Sequence, residues 1–209
     1  GRDSVVLLHL LAQAAWDGPL GAIHVHHGLS PRADAWEAFC QALCTRLGIP
    51  LHVRAVQVAR HSGQGLEAAA RAARYQAFAE LGPGCILLGH HAGDQAETVL
   101  FNLLRGAGVA GAAGMPQERR LGPLRLLRPL LGVARREIAA YAQSHDLTWV
   151  EDESNADQGF SRNFLRHEIL PLLTGRFPTA EATLAAAAGR FGEADALLAE
   201  LAEQDWQSC

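Results

Sequence analysis

Short apolar segments alternate with longer amphipathic segments through the first half of this 209-residue chain, and this alternation constrains the fold more than any other feature. Apolar residues recur at every second position in strands and at every third or fourth position in helices. Strands are predicted at 21–27, 51–58 and 85–89, with helices at 4–15, 33–47, 66–81 and 94–104. This order predicts an α/β fold in which helices cover both faces of a parallel sheet and ligands bind at the carboxyl ends of the strands.

The second half of the chain is predicted to begin irregularly and then to become helical. Residues 106–123 contain five glycines and almost no periodic apolar pattern, which predicts a long loop of functional or mobile character. Helices are predicted at 134–145 and 162–173, and an Ala-rich helix follows Pro178 to about Trp206. Since no strand follows to cover that last helix, we expect it to connect to a further segment.

Composition and charge narrow the class of protein. The longest apolar runs are far shorter than the roughly 18 residues that a membrane-spanning helix requires. The start has no basic-then-apolar leader pattern and the four cysteines are widely spread, which favours the reducing cytoplasm. The net charge is −4, yet residues 105–136 contain seven Arg against one Glu. This local positive charge suits a polyanion such as nucleic acid, and a solvated Arg-rich loop is the alternative.

Two segments near the amino end contain residue types that bind nucleotides. Gly1-Arg2-Asp3-Ser4 stands at the start of an apolar helix, where backbone N–H groups and a Ser hydroxyl can bind a phosphate; an ordinary helix cap is the alternative. The run His24-Val25-His26-His27-Gly28-Leu29 ends the first predicted strand, where ligands gather. Its three imidazoles do not favour zinc, since His26 and His27 point to opposite sides of a strand and no thiol is suitably spaced.

The run from Gly89 to Thr98 follows another predicted strand and opens a helix. Asp94 and Glu97 are three residues apart, so they share a helix face and could together hold Mg²⁺ or an ammonium group. The alternative is a structural one, because acidic residues in the first turn also complement the helix dipole. These residues therefore predict either a cation site or a helix cap.

Further motifs follow in one order along the chain. They are Arg105-Gly106-Ala107-Gly108 with Gly111 and Gly114, Arg128-Pro129-Leu130-Leu131, Glu151-Asp152-Glu153-Ser154-Asn155, and Arg162-Asn163-Phe164-Leu165-Arg166. Together with the three earlier runs they resemble the tRNA(Ile)-lysidine synthases, a family of PP-loop (N-type) ATP pyrophosphatases, from residue 1 to about 206. The resemblance implies a Rossmann-like PP-loop ATPase domain over residues 1–175, without its first strand and the start of its PP-loop. It also implies a helical connector to further domains over residues 176–209.

The resemblance implies a reaction and its components. Family members are ligases that use ATP and Mg²⁺ to join L-lysine to the wobble cytidine of the CAU anticodon of an isoleucine tRNA. The cytosine O2 attacks the α-phosphate of ATP and releases pyrophosphate, and the lysine amine then displaces AMP at C2. A cytoplasmic location is implied as well, and so is a homodimer, since family members commonly pair.

On this resemblance each motif receives a task. ATP would be bound by Gly1, Arg2, Asp3, Ser4, His24, His26, His27 and Gly28. Catalytic roles would fall to Asp3, Asp94, Glu97 and Arg105, with Asp3 and Asp94 as Mg²⁺ ligands. Contacts with tRNA would come from Arg128, Arg162, Asn163, Arg166 and the turn at 152–155, with hydrogen bonds between that turn and Asn163 as the alternative. For Arg166 a structural role is an equal alternative.

Three departures from the family pattern lead to expectations of their own. The PP-loop pattern Ser-Gly-Gly-x-Asp-Ser begins here at its last Gly, so we expect a partial product that restoration of the preceding strand would stabilise. Gly93 stands where the family has a further Asp, so Gly93→Asp is expected to tighten binding of ATP with Mg²⁺. Because the family continues into domains that grip tRNA, tRNA binding by this chain should be weak and steeply salt-dependent.

Rival interpretations differ in the chemistry they require. A tRNA thiolase of the same superfamily would carry Cys-x-x-Cys, whereas Cys40 and Cys44 are one residue further apart. Amidating ligases such as GMP synthetase lack the later Arg-Gly-x-Gly and Arg-Asn-x-x-Arg motifs. A degenerate or truncated non-catalytic module would bind nucleotide or tRNA without turnover. A domain that folds only with its missing parts would bind nothing alone.

Overall fold

The computed structural model describes residues 1–14, 16–59, 65–153 and 161–208. Its helices and strands follow the predicted order with additions in the second half. The elements are α1 (Arg2–Gln13), β1 (Ala22–His26), α2 (Ala33–Leu47), β2 (Leu51–Ala55), α3 (Leu66–Ala79), β3 (Gly84–Leu87), α4 (Ala92–Leu104), α5 (Val109–Ala112), β4 (Glu118–Leu121), β5 (Leu124–Leu127), α6 (Arg135–Ser144), α7 (Ser161–Phe164), a π-helical segment (Leu165–Ile169), α8 (Leu170–Arg176) and α9 (Ala180–Ser208).

The strands pair in parallel, as the strand–helix order predicts. Strand β1 lies parallel to β2 with Ala22 opposite Leu51, and β3 lies parallel to β5 with Gly84 opposite Leu124. Within the described ranges these strands form two separate sheets, β1-β2 and β3-β5-β4. The predicted class of fold, a parallel α/β sheet with helices, is confirmed.

The predicted long loop over residues 106–123 is wrong in part, because the segment contains α5 and β4. Strand β4 is joined to β5 by only two residues, Gly122 and Pro123, which is a connection that antiparallel neighbours allow. Gly122 has a φ of +56°, a conformation that glycine adopts at little cost. Each strand spans four residues, too few for a period of two to be recognised with certainty in an Arg-rich sequence.

The chain divides into two compact units, each with its own buried apolar residues. The first contains residues 1–87, 119–127 and 146–150, and the second contains 88–118, 128–145 and 151–209. The core of the first unit includes Val6, Leu43, Cys44, Phe78, Leu124 and Leu126. The core of the second includes Ala96, Val99, Ile138, Leu165, Leu170 and Ala188. Each large aliphatic side chain buried in this way contributes about 1.5–3 kcal/mol to folding.

Helix α9 is the Ala-rich helix predicted after Pro178, and it packs against α4 and α5 within the second unit. Small residues permit close approach, since Ala188 is buried and a Cβ at Gly192 would lie 3.9 Å from Cβ of Ala113. Residues 196–208 are exposed along their whole length, including Leu197 and Trp206. Among the described helices, none combines the length and the apolar character needed to cross a lipid bilayer.

The helical stretch from 161 to 176 is interrupted by the π-helical segment Leu165–Ile169. Pro171 follows directly in the first turn of α8 and has no N–H to donate to the carbonyl of His167, a bond that a continuous α-helix would need. Such wider turns occur often at functional sites. This one contains Arg166, a predicted site residue.

Candidate functional site

The predicted phosphate-binding residues lie at the start of α1 in the first unit. Gly1 is the N-cap residue and has no side chain, so no cap side chain accepts a hydrogen bond from the amides of the first turn. Arg2 Nε donates to Asp3 Oδ1 across 3.2 Å, and the Asp3 side chain is 32% exposed. Ser4 is exposed, whereas the next three residues, 5–7, are buried and anchor the helix. The geometry is therefore that of an anion site with a carboxylate beside it.

The histidines at the end of β1 have separate partners within the same unit. His24 and His26 share one face of the strand, and their rings meet edge to face with centroids 6.3 Å apart. Nδ1 of His24 lies 3.7 Å from Sγ of Cys40, and Nε2 of His26 lies 3.0 Å from Oδ1 of Asp34. Burial lowers the pKa of His24 and raises the pKa of the Cys40 thiol. Both groups are therefore more strongly neutral at pH 7 than ordinary, which suits the wall of a site better than acid–base chemistry.

After β1, the side chain of His27 lies close to the guanidinium of Arg74. Nη2 of Arg74 lies 3.3 Å from Nε2 of His27. Gly28 follows with a φ of +63°, and a Cβ added there would meet no heavy atom within 4 Å. The backbone at Gly28 is thus open to close approach by a ligand.

In the second unit, His91 caps the start of α4. Its Nδ1 accepts the Gly93 amide at 3.0 Å, and its own amide donates to Asp94 Oδ2 at 2.9 Å. A Cβ at Gly93 would lie 2.8 Å from Cε1 of His91, closer than real Cβ contacts. The absence of a side chain at Gly93 is therefore part of this cap. The structural alternative for Asp94, a role in capping, is observed directly.

Arg166 from the π-helical segment pairs with both predicted acids of α4. Nε and Nη2 of Arg166 donate to the two carboxylate oxygens of Glu97 at 2.6 and 2.9 Å, and Nη2 also reaches Asp94 Oδ1 at 3.0 Å. This two-pronged contact is the strongest geometry for such a pair. Burial raises the pKa of Glu97 above its ordinary 4.5, although the hydrogen bonds and charge of Arg166 act in the opposite direction. The three side chains form one charge cluster on the inner side of α4.

The cluster bears on the predicted Mg²⁺ ligand. Both oxygens of Asp94 already accept hydrogen bonds, from the His91 amide and from Arg166, and both oxygens of Glu97 accept from Arg166. A cation at Asp94 would have to displace a guanidinium that is already in place, so in this arrangement Asp94 does not fit a Mg²⁺ ion. In the part of the chain that the structure describes, no group of three or more His, Cys, Asp or Glu side chains could hold a metal.

Two further predicted residues meet at the other end of α4. The guanidinium carbon of Arg105 lies 5.1 Å from the ring centroid of Phe101, and that of Arg162 lies 5.8 Å from the same centroid. Both distances are in the range of a cation–π contact. Phe101 had no place in the sequence prediction, because an aromatic residue on a helix is most often a core residue.

The Gly-rich segment after Arg105 is fastened to α4 by two amide side chains. Gln95 exchanges two hydrogen bonds with the backbone of Met115, at 2.9 and 2.8 Å, and Asn102 donates to the Gly111 carbonyl at 2.7 Å. Gly114 has a φ of +64°, and a Cβ there would lie 2.8 Å from Oε1 of Gln95. Neither amide residue was predicted. Their spacing of seven residues on one helix face is the signal that could have identified them.

The remaining predicted tRNA contacts differ in exposure. Arg128 was expected to meet phosphates, but it is 3% exposed and its Nη1 donates to the Pro116 carbonyl at 2.6 Å. This position corrects the expectation of a surface residue, since charge counting cannot separate buried from exposed arginines. Asn163 is half-buried on α7. Of the predicted turn at 152–155, residues 154 and 155 lie outside the described residues.

One known family matches the part of the chain that contains these motifs. The model of the PP-loop domain family matches residues 1–173, which is most of the chain. The chain belongs to the PP-loop domain family. The match begins at the first residue, so it includes the start of α1, and it ends in α8, beyond the Arg166 cluster.

Several curated proteins are similar to this PP-loop domain along nearly its whole length. The tRNA(Ile)-lysidine synthase of Pseudomonas aeruginosa is 58% identical over 214 residues, covering 100% of this chain and 48% of that protein. Those of Pseudomonas fluorescens and Alkalilimnicola ehrlichii are 55% and 54% identical, each covering 98% of this chain and 47% of the relative. The chain therefore spans about half the length of the curated relatives it matches.

A solved structure confirms the fold. The U34-tRNA thiolase NcsA from Methanococcus maripaludis, solved with its [4Fe-4S] cluster, superposes with a TM-score of 0.73. The superposition covers 92% of this PP-loop domain and 70% of the thiolase, at 18% sequence identity. At that identity the likeness concerns the path of the backbone and not the chemistry.

Proposed function

We propose that this chain is the PP-loop part of an enzyme that uses ATP to ligate L-lysine to the wobble cytidine of the CAU anticodon of an isoleucine tRNA. The observation that carries the proposal is the similarity of the chain, along 98–100% of its length, to relatives named tRNA(Ile)-lysidine synthase at 54–58% identity. The ordered motifs from Gly1 to Arg166 support the same activity.

ATP is proposed to bind at the amino end of the chain. The uncapped first turn of α1 would receive the pyrophosphate, since helix amides stabilise an anion without reorganising. His24, His26, His27 and Gly28 would line the adenosine side, where planar rings and an open backbone at Gly28 suit a base and ribose.

Mg²⁺ is proposed at Asp3, whose carboxylate is 32% exposed and receives Arg2 at one oxygen; a cation there would keep several waters and take its other ligands from phosphates. When bound, the ion would neutralise charge on the phosphates. Asp94 was the other predicted ligand, and the guanidinium of Arg166 against it does not support that role.

The charge cluster of Asp94, Glu97 and Arg166 is proposed to form the site that receives the amino group of lysine. Nε and Nη2 of Arg166 both donate to Glu97, so the proposed role of Glu97 is to hold that guanidinium in place. Asp94 shares Arg166 through a single oxygen and is less buried, with a side-chain exposure of 18% against 6% for Glu97. Asp94 is therefore the better candidate of the two to meet the lysine ammonium, which would have to take the place of its single Arg166 contact and must lose a proton before it attacks.

The nucleic-acid side is proposed to involve Arg105, Arg162 and Asn163. Arg105 is exposed and Arg162 is partly exposed, as contact with a large ligand requires. Arg166 has its charge satisfied by the two acids, and Arg128 is buried, which supports structural roles for both.

The cytoplasm is the proposed compartment. Pairing of two copies and the domain boundary after residue 175 remain predictions.

The test is transfer of labelled lysine, with ATP and Mg²⁺, to an unmodified tRNA that carries a CAU anticodon. The chain is assayed alongside a form extended at its amino end by a complete PP-loop and preceding strand, with an Asp3→Asn variant of each. The same tRNA with a UAU anticodon is the substrate control. We expect labelled tRNA only with the CAU anticodon and strongly reduced transfer by Asp3→Asn. Binding of ATP without transfer by either form would overturn the proposal in favour of a non-catalytic module.

A further inference from the structure

Phe101 holds two guanidinium groups at one ring. Arg105 comes from the residue after α4 and Arg162 comes from α7, and their guanidinium carbons lie 5.1 and 5.8 Å from the ring centroid. The two arginines are far apart in sequence, so the ring is what they have in common. Their positive charges are brought together at the carboxyl end of α4, where the helix dipole also favours cations.

Neither of these arginines is paired with an acid within the described ranges, although a neighbour is. Arg166, four residues beyond Arg162, has its guanidinium taken up by Glu97 and Asp94. The ion pairs found among the described residues include no carboxylate partner for Arg105 or for Arg162. Two cations held near one ring without a counter-ion repel one another, and an anion that contacts both offsets that repulsion.

Exposed apolar side chains lie near both arginines in the sequence. Leu104 precedes Arg105 and is 68% exposed, and Phe164 lies two residues beyond Arg162 and is 46% exposed. Cations interleaved with exposed aromatic and aliphatic side chains are typical of surfaces that bind single-stranded nucleic acid, where phosphates meet the charges and bases meet the apolar groups.

We propose that Phe101 is a positioning residue that holds Arg105 and Arg162 as one phosphate-binding pair for the backbone of a single-stranded RNA segment. The choice of RNA rests on the proposed function. The ring restricts two long side chains before the ligand arrives, so less rotamer freedom is lost on binding. An exposed cation–π contact corresponds to a change of about 2- to 5-fold in an equilibrium, and Phe101 makes two.

The test measures affinity for a synthetic stem–loop RNA with a CAU anticodon loop, by fluorescence anisotropy at several salt concentrations. Phe101→Leu removes the ring face and keeps an apolar side chain, while Phe101→Tyr is the matched control that keeps the ring. We expect Phe101→Leu to weaken RNA binding about fivefold or more and Phe101→Tyr to bind as the unaltered chain does. ATP affinity, measured by calorimetry, should be the same in all three.

Arg105→Gln and Arg162→Gln, singly and together, test the pair without touching the ring. If the two arginines share a phosphate, the double variant should lose less than the product of the single losses and its salt dependence should flatten by about one phosphate contact. These variants decide the matter if a melting curve shows that Phe101→Leu does not fold.

The inference is overturned if Phe101→Leu binds RNA as tightly as the unaltered chain, if Phe101→Tyr loses as much as Phe101→Leu, or if the losses of the two arginines are independent. A loss confined to ATP, or an unaltered chain that does not bind the RNA even at low salt, overturns it too. Failure of lysine transfer with RNA binding still dependent on Phe101 would sink the proposed function alone.

Discussion

Replacing Arg166 by methionine tests the charge cluster on α4. Methionine keeps an unbranched chain but leaves Glu97 and Asp94 without their guanidinium, and the Glu97 side chain is only 6% exposed. Removing one partner of a buried pair costs about 3–5 kcal/mol. Because Arg166 is itself 25% exposed, water screens part of the loss, so we expect the lower end, about 3 kcal/mol. For a chain of this size that corresponds to a fall in Tm of about 6–12 °C.

The assay is urea unfolding at pH 7, with the midpoint as the readout and an unchanged slope as evidence that the denatured state is the same. Arg190→Met, at an exposed position on α9, is the matched control and should stay within about 0.5 kcal/mol of the unaltered chain. Adding Glu97→Gln to Arg166→Met should recover part of the loss, since the uncompensated buried charge is then gone. An Arg166→Met midpoint equal to that of Arg190→Met would refute the reasoning.

Three further predictions follow from the same unit. Burial raises the pKa of Glu97 above 4.5, so the folded chain keeps that proton to a higher pH than the unfolded chain does. The free energy of unfolding should therefore fall as the pH rises from 4.5 through the folded pKa. Urea midpoints measured across this range should show the decline, and Glu97→Gln should remove it. Gly93→Asp should cost about 1 kcal/mol in unfolding free energy, because its Cβ displaces the His91 cap; an unchanged urea midpoint would mean that the ring moves freely. Calorimetry with ATP and Mg²⁺ checks the tighter binding that the family pattern predicts for the same variant. Gly114→Ala should cost at least about 1 kcal/mol by urea unfolding, more than Gly106→Ala, because both have positive φ but only Gly114 faces Gln95; equal losses would count against the close contact.

Much of the first half of the fold was predictable because local signals agree with the tertiary structure there. Helix α2 has the predicted bounds of 33–47, where Gly48 with a φ of +67° and then Pro50 end the pattern. Strands β4 and β5 could not be recognised, since their four residues are stabilised by pairing with each other and with β3 and not by a long local pattern.

The candidate site was predictable to the extent that it lies on one helix. A spacing of three residues brings Asp94 and Glu97 to one face, and the structure agrees. The partner of both, Arg166, is 69 residues beyond Glu97, and spacing along the chain says nothing about a contact at that separation. His91 was not predicted as a cap because histidine seldom has that role.

Helix α4 fixes the relative positions of several groups of contacts that are described separately above. Its first turn carries the His91 cap, the next carries Glu97, and its last carries the anchor of the Gly-rich segment and the ring of Phe101. Each residue of an α-helix turns the chain by about 100°. Loss or gain of a single residue between Glu97 and Phe101 would therefore rotate one set of partners away from the other. Insertions and deletions within this helix should therefore disrupt more contacts at once than those in a loop without packed partners.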